Sequence, residues 1–275
     1  MQRDLGKRPW TFYALAAFFA LFVMFLYGPM SAIFVLSFQG PTGGLTFPMR
    51  GFSLQWFEAL WGQQRTGDVG GSFERSIVLA LLATVLTLAI SVSAGLAFRR
   101  SFKGATFVFY LAIASLVMPG LFVGLGIALI CQVLRVTPTW WMTGLGAHLT
   151  WTLPFGLLIM FAVFNRFDRR WEEAARDLGA GPWRTFTAVI LPILAPGLIA
   201  VALFGFTLSY DELARSKLTV GARNTLPLEI EAMTTTVTTP SLFALGTVTT
   251  AVSFLIIALA LASIVVIQRR RGVRL

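Results

Sequence analysis

Charged residues are scarce in this sequence of 275 residues, where Asp, Glu, Lys and Arg together make up 12%. Soluble proteins carry about 25% charged residues, so this chain has about half of the charge that a water-exposed surface needs. Hydrophobic residues make up 56%, and the mean hydropathy is +0.77. The composition excludes a mostly polar, water-soluble catalytic domain and indicates a membrane protein.

Cysteine and histidine are almost missing, with one residue of each, Cys131 and His148. One cysteine cannot form an intramolecular disulfide, and structural zinc sites need about four Cys or His ligands. These absences exclude a disulfide framework and argue against a metal cluster. They also argue against a membrane enzyme, because the common metal and nucleophile sites combine several His, Cys and Asp residues. We expect Cys131 to be a small, buried apolar residue.

Six stretches contain no charged residue, and each includes an apolar run long enough to cross a bilayer. A spanning helix needs about 20 residues to cross about 30 Å of hydrocarbon. The first run is too long for a cleavable signal peptide, so we expect it to be retained. We predict an all-α, polytopic membrane protein that forms a single domain over residues 1–275. Its six helices lie near Trp10–Phe38, Arg75–Phe98, Thr106–Leu134, Ala147–Phe164, Ile193–Ser209 and Leu242–Ile267.

The net charge of +10 would suggest nucleic-acid binding in a soluble protein. Here the basic residues flank the ends of the predicted helices. With the N-terminus inside, the inner connections hold 15 of the 22 Lys and Arg residues and the whole net charge. This is the positive-inside pattern. We therefore predict a multi-pass membrane protein with cytoplasmic termini, in contact with membrane lipids and without a nucleic-acid partner.

The inner connection 166–192 reads as two short helices around a glycine turn. Residues Trp171–Leu178 have helical character, and Gly179 suits the left-handed residue that often ends a helix. Pro182 suits the first position of a second helix. This second helix is expected to stop at Pro192, where the fifth span begins. An alternative interpretation is an amphipathic segment that leads the chain back to the membrane with its charges in solvent. Such a segment does not require Glu-Ala-Ala, Gly and Leu-Pro at this spacing.

This connection resembles the EAA loop of ABC-importer permeases. In that loop Glu-Ala-Ala is followed by three residues and Gly, and then by nine residues and Ile-x-Leu-Pro. The matching residues are Glu173, Ala174, Ala175, Gly179, Leu191 and Pro192, while Val189 replaces the Ile. Because the motif is long and evenly spaced, and six spans accompany it, the resemblance covers almost the whole chain. It implies the type I ABC importer permease fold, a location in the bacterial inner membrane, and alternating access driven by ATP.

The resemblance also implies partners for this chain. In that family the loop docks into a cytoplasmic ATPase dimer, and Glu173 would pair with a basic group. The implied ATPase-coupling residues are Glu172, Glu173, Ala174, Ala175, Gly179, Leu191 and Pro192. No Walker A sequence is present, so we expect a non-enzymatic transport subunit without its own cofactor, and ATP and magnesium bound by the partner. A second, homologous permease subunit in a heterodimer and an extracytoplasmic solute-binding protein complete the expected assembly.

Further segments resemble permeases of the spermidine/putrescine branch, above all the Asp211-Glu212 pair beyond the fifth span. Charge near membrane depth is costly and points to function, and carboxylates suit a polycationic solute. Met118 and Pro119 would kink the third span and could gate a path. The candidate substrate pathway comprises Met118, Pro119, Gly120, Ser209, Asp211 and Glu212.

Two departures from that branch leave the solute open. Gly120 stands where an acidic residue often follows Met-Pro, and Arg215 and Lys217 closely follow the two carboxylates. Asp211 and Arg215 are four positions apart, so on a helix they could form an ion pair instead of contacting solute. The same importer class for an opine, an aminophosphonate or an amino-acid-derived solute remains the alternative. An ion-driven secondary transporter is disfavoured, because that class places ionisable groups at the midplane. His148 is expected to cap the outer end of the fourth span, with proton handling as its alternative role.

Overall fold

The computed structural model describes residues 9–62, 67–100, 102–236 and 239–270. Within these residues the regular structure is helical, and two π-helical turns, Trp140–Gly144 and Phe186–Ile190, run directly into α6 and α9. The helices are α1 (Trp10–Leu36), α2 (Gln55–Ala59), α3 (Val69–Phe98), α4 (Ala105–Ala114), α5 (Gly120–Leu134), α6 (Leu145–Asn165), α7 (Arg170–Asp177), α8 (Pro182–Thr185), α9 (Leu191–Tyr210), α10 (Ser216–Thr219), α11 (Leu226–Thr236) and α12 (Ser241–Arg270).

Five helical runs in the described residues are long and apolar enough to cross a membrane. They correspond to the predicted first, second, fourth, fifth and sixth spans, although the second begins at Val69 rather than near Arg75. The runs are Trp10–Leu36, Val69–Phe98, Trp140–Asn165, Pro182–Tyr210 and Ser241–Ser263.

The predicted third span is not one helix. The prediction of a continuous helix over Thr106–Leu134 is wrong, because the chain forms α4 and α5 with a break between Ala114 and Gly120. Pro119 has no N–H and disfavours helical backbone at the residue before it. It lies at the N-cap of α5 with an extended ψ of 132°. The Met118-Pro119 pair therefore interrupts the helix completely rather than kinking it.

Pro192 does not stop the helix that precedes it. The prediction of an end there is wrong, since helical structure continues from Pro182 through to Tyr210. A proline inside an α-helix leaves the carbonyl four residues earlier without its donor. The π-helical turn Phe186–Ile190 ends two positions before Pro192, and its wider hydrogen-bond spacing can absorb such a mismatch. The inner connection and the fifth span are therefore one continuous helical run.

The chain divides into two compact units, residues 1–66 with 233–251 and residues 67–232 with 252–275. The single domain expected from the sequence stays a prediction. In the first unit, the buried Gln39 organises the loop after α1. Its Oε1 accepts from the Arg50 N–H at 2.7 Å, and its backbone carbonyl accepts from Trp56 Nε1 at 2.6 Å. Trp56 thus holds this loop together.

The second unit is built on α3, α6 and α9. Its core contains apolar side chains from α6, α9 and the π-helical turn before α9, with side chains of α3 packed against them. The buried core residues are Met160, Phe164, Ile190, Leu194 and Val201. Small and hydroxylated residues allow the helices to approach closely. A Cβ at Gly95 would overlap the Phe164 ring, and the buried hydroxyls of Thr87 and Thr152 lie 2.7 Å apart. This packed unit carries the functional segments at its two ends.

Candidate coupling and solute-path sites

We call residues 169–192 the coupling segment. Its first helix, α7, ends in a Schellman turn, as the sequence predicted. Gly179 has φ +83°, a conformation that costs residues with a Cβ about 1–2 kcal/mol. The N–H of Ala180 donates to the Ala175 carbonyl at 3.0 Å, and that of Gly179 to Arg176 at 2.8 Å. The glycine turn then redirects the chain into α8, where Pro182 occupies the first position.

The α7 helix has two chemically opposite faces. Side chains three and four positions apart share a face. The charged face consists of Arg169, Glu172, Glu173 and Arg176, and the opposite face of Trp171, Ala174, Ala175 and Leu178. Trp171 is 61% exposed and Leu178 is 90% exposed. Exposed apolar side chains beside small alanines form a surface suited to contact with another molecule.

Arg99, just beyond the end of α3, holds the charged face of α7. Its guanidinium forms an ion pair with Glu172 in which both side chains are largely buried. Its backbone carbonyl accepts from Arg169 Nη2, and its Cζ lies 5.5 Å and 4.8 Å from the ring centres of Phe164 and Phe167. The ends of α3 and α6 are thereby tied to α7.

The structure brings five of the predicted coupling residues together in α7 and its turn, namely Glu172, Glu173, Ala174, Ala175 and Gly179. Leu191 and Pro192 lie instead at the start of α9. The expected partner of Glu173 is not found among the described residues; its neighbour Glu172 takes the basic group. Glu173 is exposed because it lies further around the helix, away from Arg99.

Sequence reasoning missed Arg99 and the exposed tryptophans Trp171 and Trp183. Arg99 was counted as a topology signal, and its pairing with a residue 73 positions later has no local sequence signature. The i, i+3, i+4, i+7 spacing of the small and apolar residues in α7 was the available signal for the exposed face. Trp183, in α8, is 76% exposed.

At the opposite end of the unit, Glu212 and Arg215 form a buried ion pair. Arg215 Nη1 lies 3.1 Å from Glu212 Oε2, and the Arg215 backbone N–H donates to Glu212 Oε1 at 2.9 Å. The proposed Asp211–Arg215 pair is therefore wrong. The helix ends at Tyr210, so the i, i+4 geometry that the pairing required does not exist there. Asp211 is exposed instead.

Arg215 contacts two other helices, α6 and α5. Its Nε donates to Thr150 Oγ1 at 3.3 Å, and its Cζ lies 4.6 Å from the Trp151 ring centre. A Cβ on Gly120 would come within 2.9 Å of Arg215 Nη1. Arg215 Nη2 is buried without a hydrogen-bond partner among the described residues. The arginine thus joins α6 to the first turn of α5.

His148 is buried beside this ion pair, with 1% of its surface exposed. The expectation that it caps the outer end of its span is wrong, since α6 and its preceding π-helical turn begin eight residues earlier. Its Nδ1 lies 2.7 Å from Ser209 Oγ and its Nε2 lies 2.9 Å from Ser216 Oγ. Ser216 donates its hydroxyl proton to the Glu212 carbonyl at 2.6 Å. It therefore accepts from His148, which places a proton on Nε2.

We call His148, Ser209, Glu212, Arg215 and Ser216 the outer polar cluster. Of the predicted pathway residues, the structure places Ser209 and Glu212 in this cluster and Gly120 against it. Met118, Pro119 and Asp211 are not part of the cluster. They are exposed, although they adjoin Gly120 and Glu212 in the sequence. Partial desolvation raises the pKa of the Asp211 carboxyl above its ordinary value.

Three further acidic residues, Asp68, Glu229 and Glu231, have polar partners. Lys217 Nζ lies 2.5 Å from Glu231 Oε1, and Asn224 donates to Glu229 at 2.9 Å. A hydrogen bond from Arg75 lowers the pKa of Asp68. Within the described residues, no three His, Cys, Asp or Glu side chains are placed to hold a metal ion.

The chain matches known proteins over most of its length. The family model described as "Binding-protein-dependent transport system inner membrane component" matches residues 88–272. The chain is 27% identical to the spermidine/putrescine transport system permease protein PotC of Haemophilus influenzae, over 90% of this chain and 95% of that protein. It is 30% identical to the putrescine transport system permease protein PotI of Escherichia coli, over 88% of this chain and 85% of that protein.

A solved structure shares the fold. It is a bacterial alginate ABC transporter in complex with an alginate pentasaccharide-bound periplasmic protein. The TM-score is 0.64 at 14% identity, and the match covers 96% of each chain. The likeness therefore extends over nearly the whole chain.

Proposed function

The chain belongs to the family of binding-protein-dependent transport system inner membrane components, and we propose that its coupling segment transmits the action of a cytoplasmic ATPase to a solute path. It is a multi-pass inner membrane protein and the permease subunit of an ABC importer, and its predicted type I fold is confirmed. The N- and C-termini lie on the cytoplasmic side in this proposal, as the distribution of basic residues indicates.

The observation that carries this proposal is the two-faced α7 helix. Its charged face is held by Arg99, while Trp171 and Leu178 extend from the opposite face into solvent. Burial of apolar surface stabilises association by about 25 cal/mol per Å². The alanines between these two side chains allow a groove on the ATPase to approach the helix closely. A force on α7 reaches the membrane through Arg99 and α3 and through the continuous run Pro182–Tyr210.

The partner ATPase dimer binds ATP and magnesium and performs the hydrolysis in this proposal. A second, homologous permease chain forms a heterodimer with this one. The large apolar side chains exposed on α1 and α12, such as Phe18, Phe25 and Leu259, are available for lipid and for that chain. A solute-binding protein outside the cytoplasm delivers the solute.

For the solute, we propose a small polyamine-like cation. The two permease relatives are named for spermidine and putrescine transport. Asp211 supports this assignment, because it is an exposed carboxylate for which the described residues contain no ion-pair partner. Its position directly beyond α9 places it beside the outer polar cluster.

A second candidate is a solute that also carries an acidic group, such as an opine or an aminophosphonate. Arg215 Nη2 favours this candidate, since a buried guanidinium N–H without an acceptor is unfavourable. The two candidates can be separated by direct competition, in which uptake of labelled putrescine by the assembled importer is measured against unlabelled diamines and unlabelled amino acids.

The coupling proposal is tested by co-purification with the ATP-binding subunit. The double variant Trp171→Ser/Leu178→Ser should lose most of the bound ATPase while the chain still inserts and purifies as a monodisperse protein. Trp141→Ser is the matched control, because Trp141 is similarly exposed (56%) but lies before α6 at the other end of the span. Equal ATPase retention by the double variant and wild type would contradict the proposal, as would ion-driven transport by the chain alone.

A further inference from the structure

A cleft of about 740 Å³ separates the inner end of α3 from the charged face of α7. It lies on the side of α7 opposite to Trp171 and Leu178, so docking of an ATPase on that exposed face does not by itself fill it. Its polar lining is dominated by arginine. The charged residues around it are Arg99, Arg100, Arg169, Arg176, Glu172 and Glu173.

The cleft carries a net positive charge of two, since four arginines face two glutamates. The charges of Arg99 and Glu172 neutralise each other within their ion pair. Arg176 is 3.9 Å from the same Glu172 at an exposed position, and its attraction is correspondingly weak. For Arg100 the described residues contain no ion-pair partner. The positive charges that remain are therefore open to a ligand from outside the chain.

The other part of the lining is apolar and comes from Leu96, Phe102, Phe186 and Ile190. Leu96 belongs to the last turn of a membrane-spanning helix, and Phe186 belongs to the π-helical turn that leads into another. The cleft is therefore located where a hydrocarbon core gives way to headgroups. A ligand that satisfies both parts of the lining has an anionic head and an apolar tail.

We propose that this cleft binds the phosphate headgroup of an anionic phospholipid, with Arg100 and Arg176 at the phosphate and the apolar wall against the first acyl carbons. Arginine recognises phosphate with paired N–H donors, and the cytoplasmic leaflet supplies anionic lipid. The proposal rests on the proposed orientation, in which the coupling segment faces that leaflet. The bound lipid shields the repulsion among the arginines around α7 and steadies the helix at the Arg99 end.

The experiment is native mass spectrometry of the purified full-length chain in detergent with equal amounts of phosphatidylglycerol and phosphatidylcholine of identical acyl chains. Wild type should retain phosphatidylglycerol preferentially. Arg100→Gln and Arg176→Gln should each reduce that preference about fivefold, the effect expected for loss of about one basic residue near anionic lipid. Arg100→Lys keeps the charge but not the paired N–H donors, and should keep only part of the preference.

Arg166→Gln is the matched control, because Arg166 is exposed on the same inner connection but does not line the cleft. It should bind lipid like wild type. An equal loss in Arg166→Gln, or no preference in wild type, would overturn the proposal by showing only general attraction or none. Displacement of the lipid by inorganic phosphate as effectively as by short-chain phosphatidylglycerol would assign the cleft to free phosphate instead. The measurement needs no ATPase, so it stands apart from the co-purification test.

Discussion

Arg99 and Glu172 form a largely buried ion pair that joins the inner end of α3 to the coupling helix α7. Arg99 also lies against the rings of Phe164 and Phe167, at and beyond the end of α6. Phe164 belongs to the core of the second unit. Two of the three core helices are therefore connected to α7 through one side chain. A shift of α7 cannot occur without a response from that core or the loss of the pair.

Glu172→Gln should weaken coupling more than Glu173→Gln. Removal of one partner of a charged, partly buried hydrogen bond costs about 1–3 kcal/mol, whereas Glu173 is exposed and makes no ion pair within the described residues. The measurement is solute-stimulated ATP hydrolysis by the assembled importer, compared with its uptake. We expect Glu172→Gln to lower uptake per ATP hydrolysed at least severalfold. A larger effect of Glu173→Gln would mean that direct contact with the ATPase, not the Arg99 pair, governs coupling.

Gly179→Ala should destabilise the coupling segment, whereas Gly181→Ala should have little effect. A Cβ at either position meets no atom within 4 Å, but Gly179 has φ +83° and Gly181 has φ −66°. Only the first substitution forces a left-handed alanine, at about 1–2 kcal/mol. The check is ATPase retention and stimulated hydrolysis for the two variants side by side. Equal behaviour of the two would show that the turn does not matter to docking.

Arg215→Met should lower the thermal stability of the purified chain strongly, because it leaves Glu212 charged and buried. Breaking a buried pair from one side costs about 3–5 kcal/mol. Replacing both partners, as in Arg215→Met/Glu212→Leu, should recover most of that loss, since no uncompensated charge remains. The control is the partly exposed ion pair of Lys217 with Glu231. Lys217→Met should change the stability by less than about 1 kcal/mol. A double variant as unstable as Arg215→Met would show that the arginine acts through Thr150 and Trp151.

Asp211→Asn should reduce uptake of a cationic solute, and the difference from wild type should shrink as the outside pH falls. Because the pKa of Asp211 is raised above the ordinary aspartate value of 3.8, its carboxylate becomes protonated at a higher pH than an ordinary aspartate does. Wild type then resembles the Asn variant. Asp68→Asn is the control, because the hydrogen bond from Arg75 lowers the pKa of Asp68 and keeps it charged over the same range. A wild-type advantage that stays constant as the outside pH is lowered would contradict a direct role of the Asp211 charge.

The helical architecture follows from the sequence because membrane hydrocarbon excludes charge and so leaves long uncharged runs. The preference of glycine for helix ends and of proline for the first helical position likewise predicted the turn at Gly179 and the start of the next helix at Pro182. The break in the third span could also have been predicted from the sequence. Pro119 restricts Met118 as well as itself, and this second restriction changes the expected kink into a gap.

The pairings of charged residues were beyond sequence reasoning. Asp211 and Arg215 have helical spacing, but the helix ends between Tyr210 and Asp211, so the assumed geometry fails. Arg99 and Glu172 are brought together only by the packing of α3 against the end of α6. His148 looked interfacial because the π-helical turn that extends its span has no clear local signature in the sequence.

The π-helical turn at Phe186–Ile190 has a mechanical consequence. By keeping the chain helical past Pro192, it makes residues Pro182–Tyr210 a rod of 29 residues, about 43 Å long at about 1.5 Å per residue. One end adjoins the turn at Gly179, and the other ends one residue before Asp211. Helical structure is continuous from Pro182 to Tyr210, so a change of tilt at the inner end of this run changes the position of its outer end.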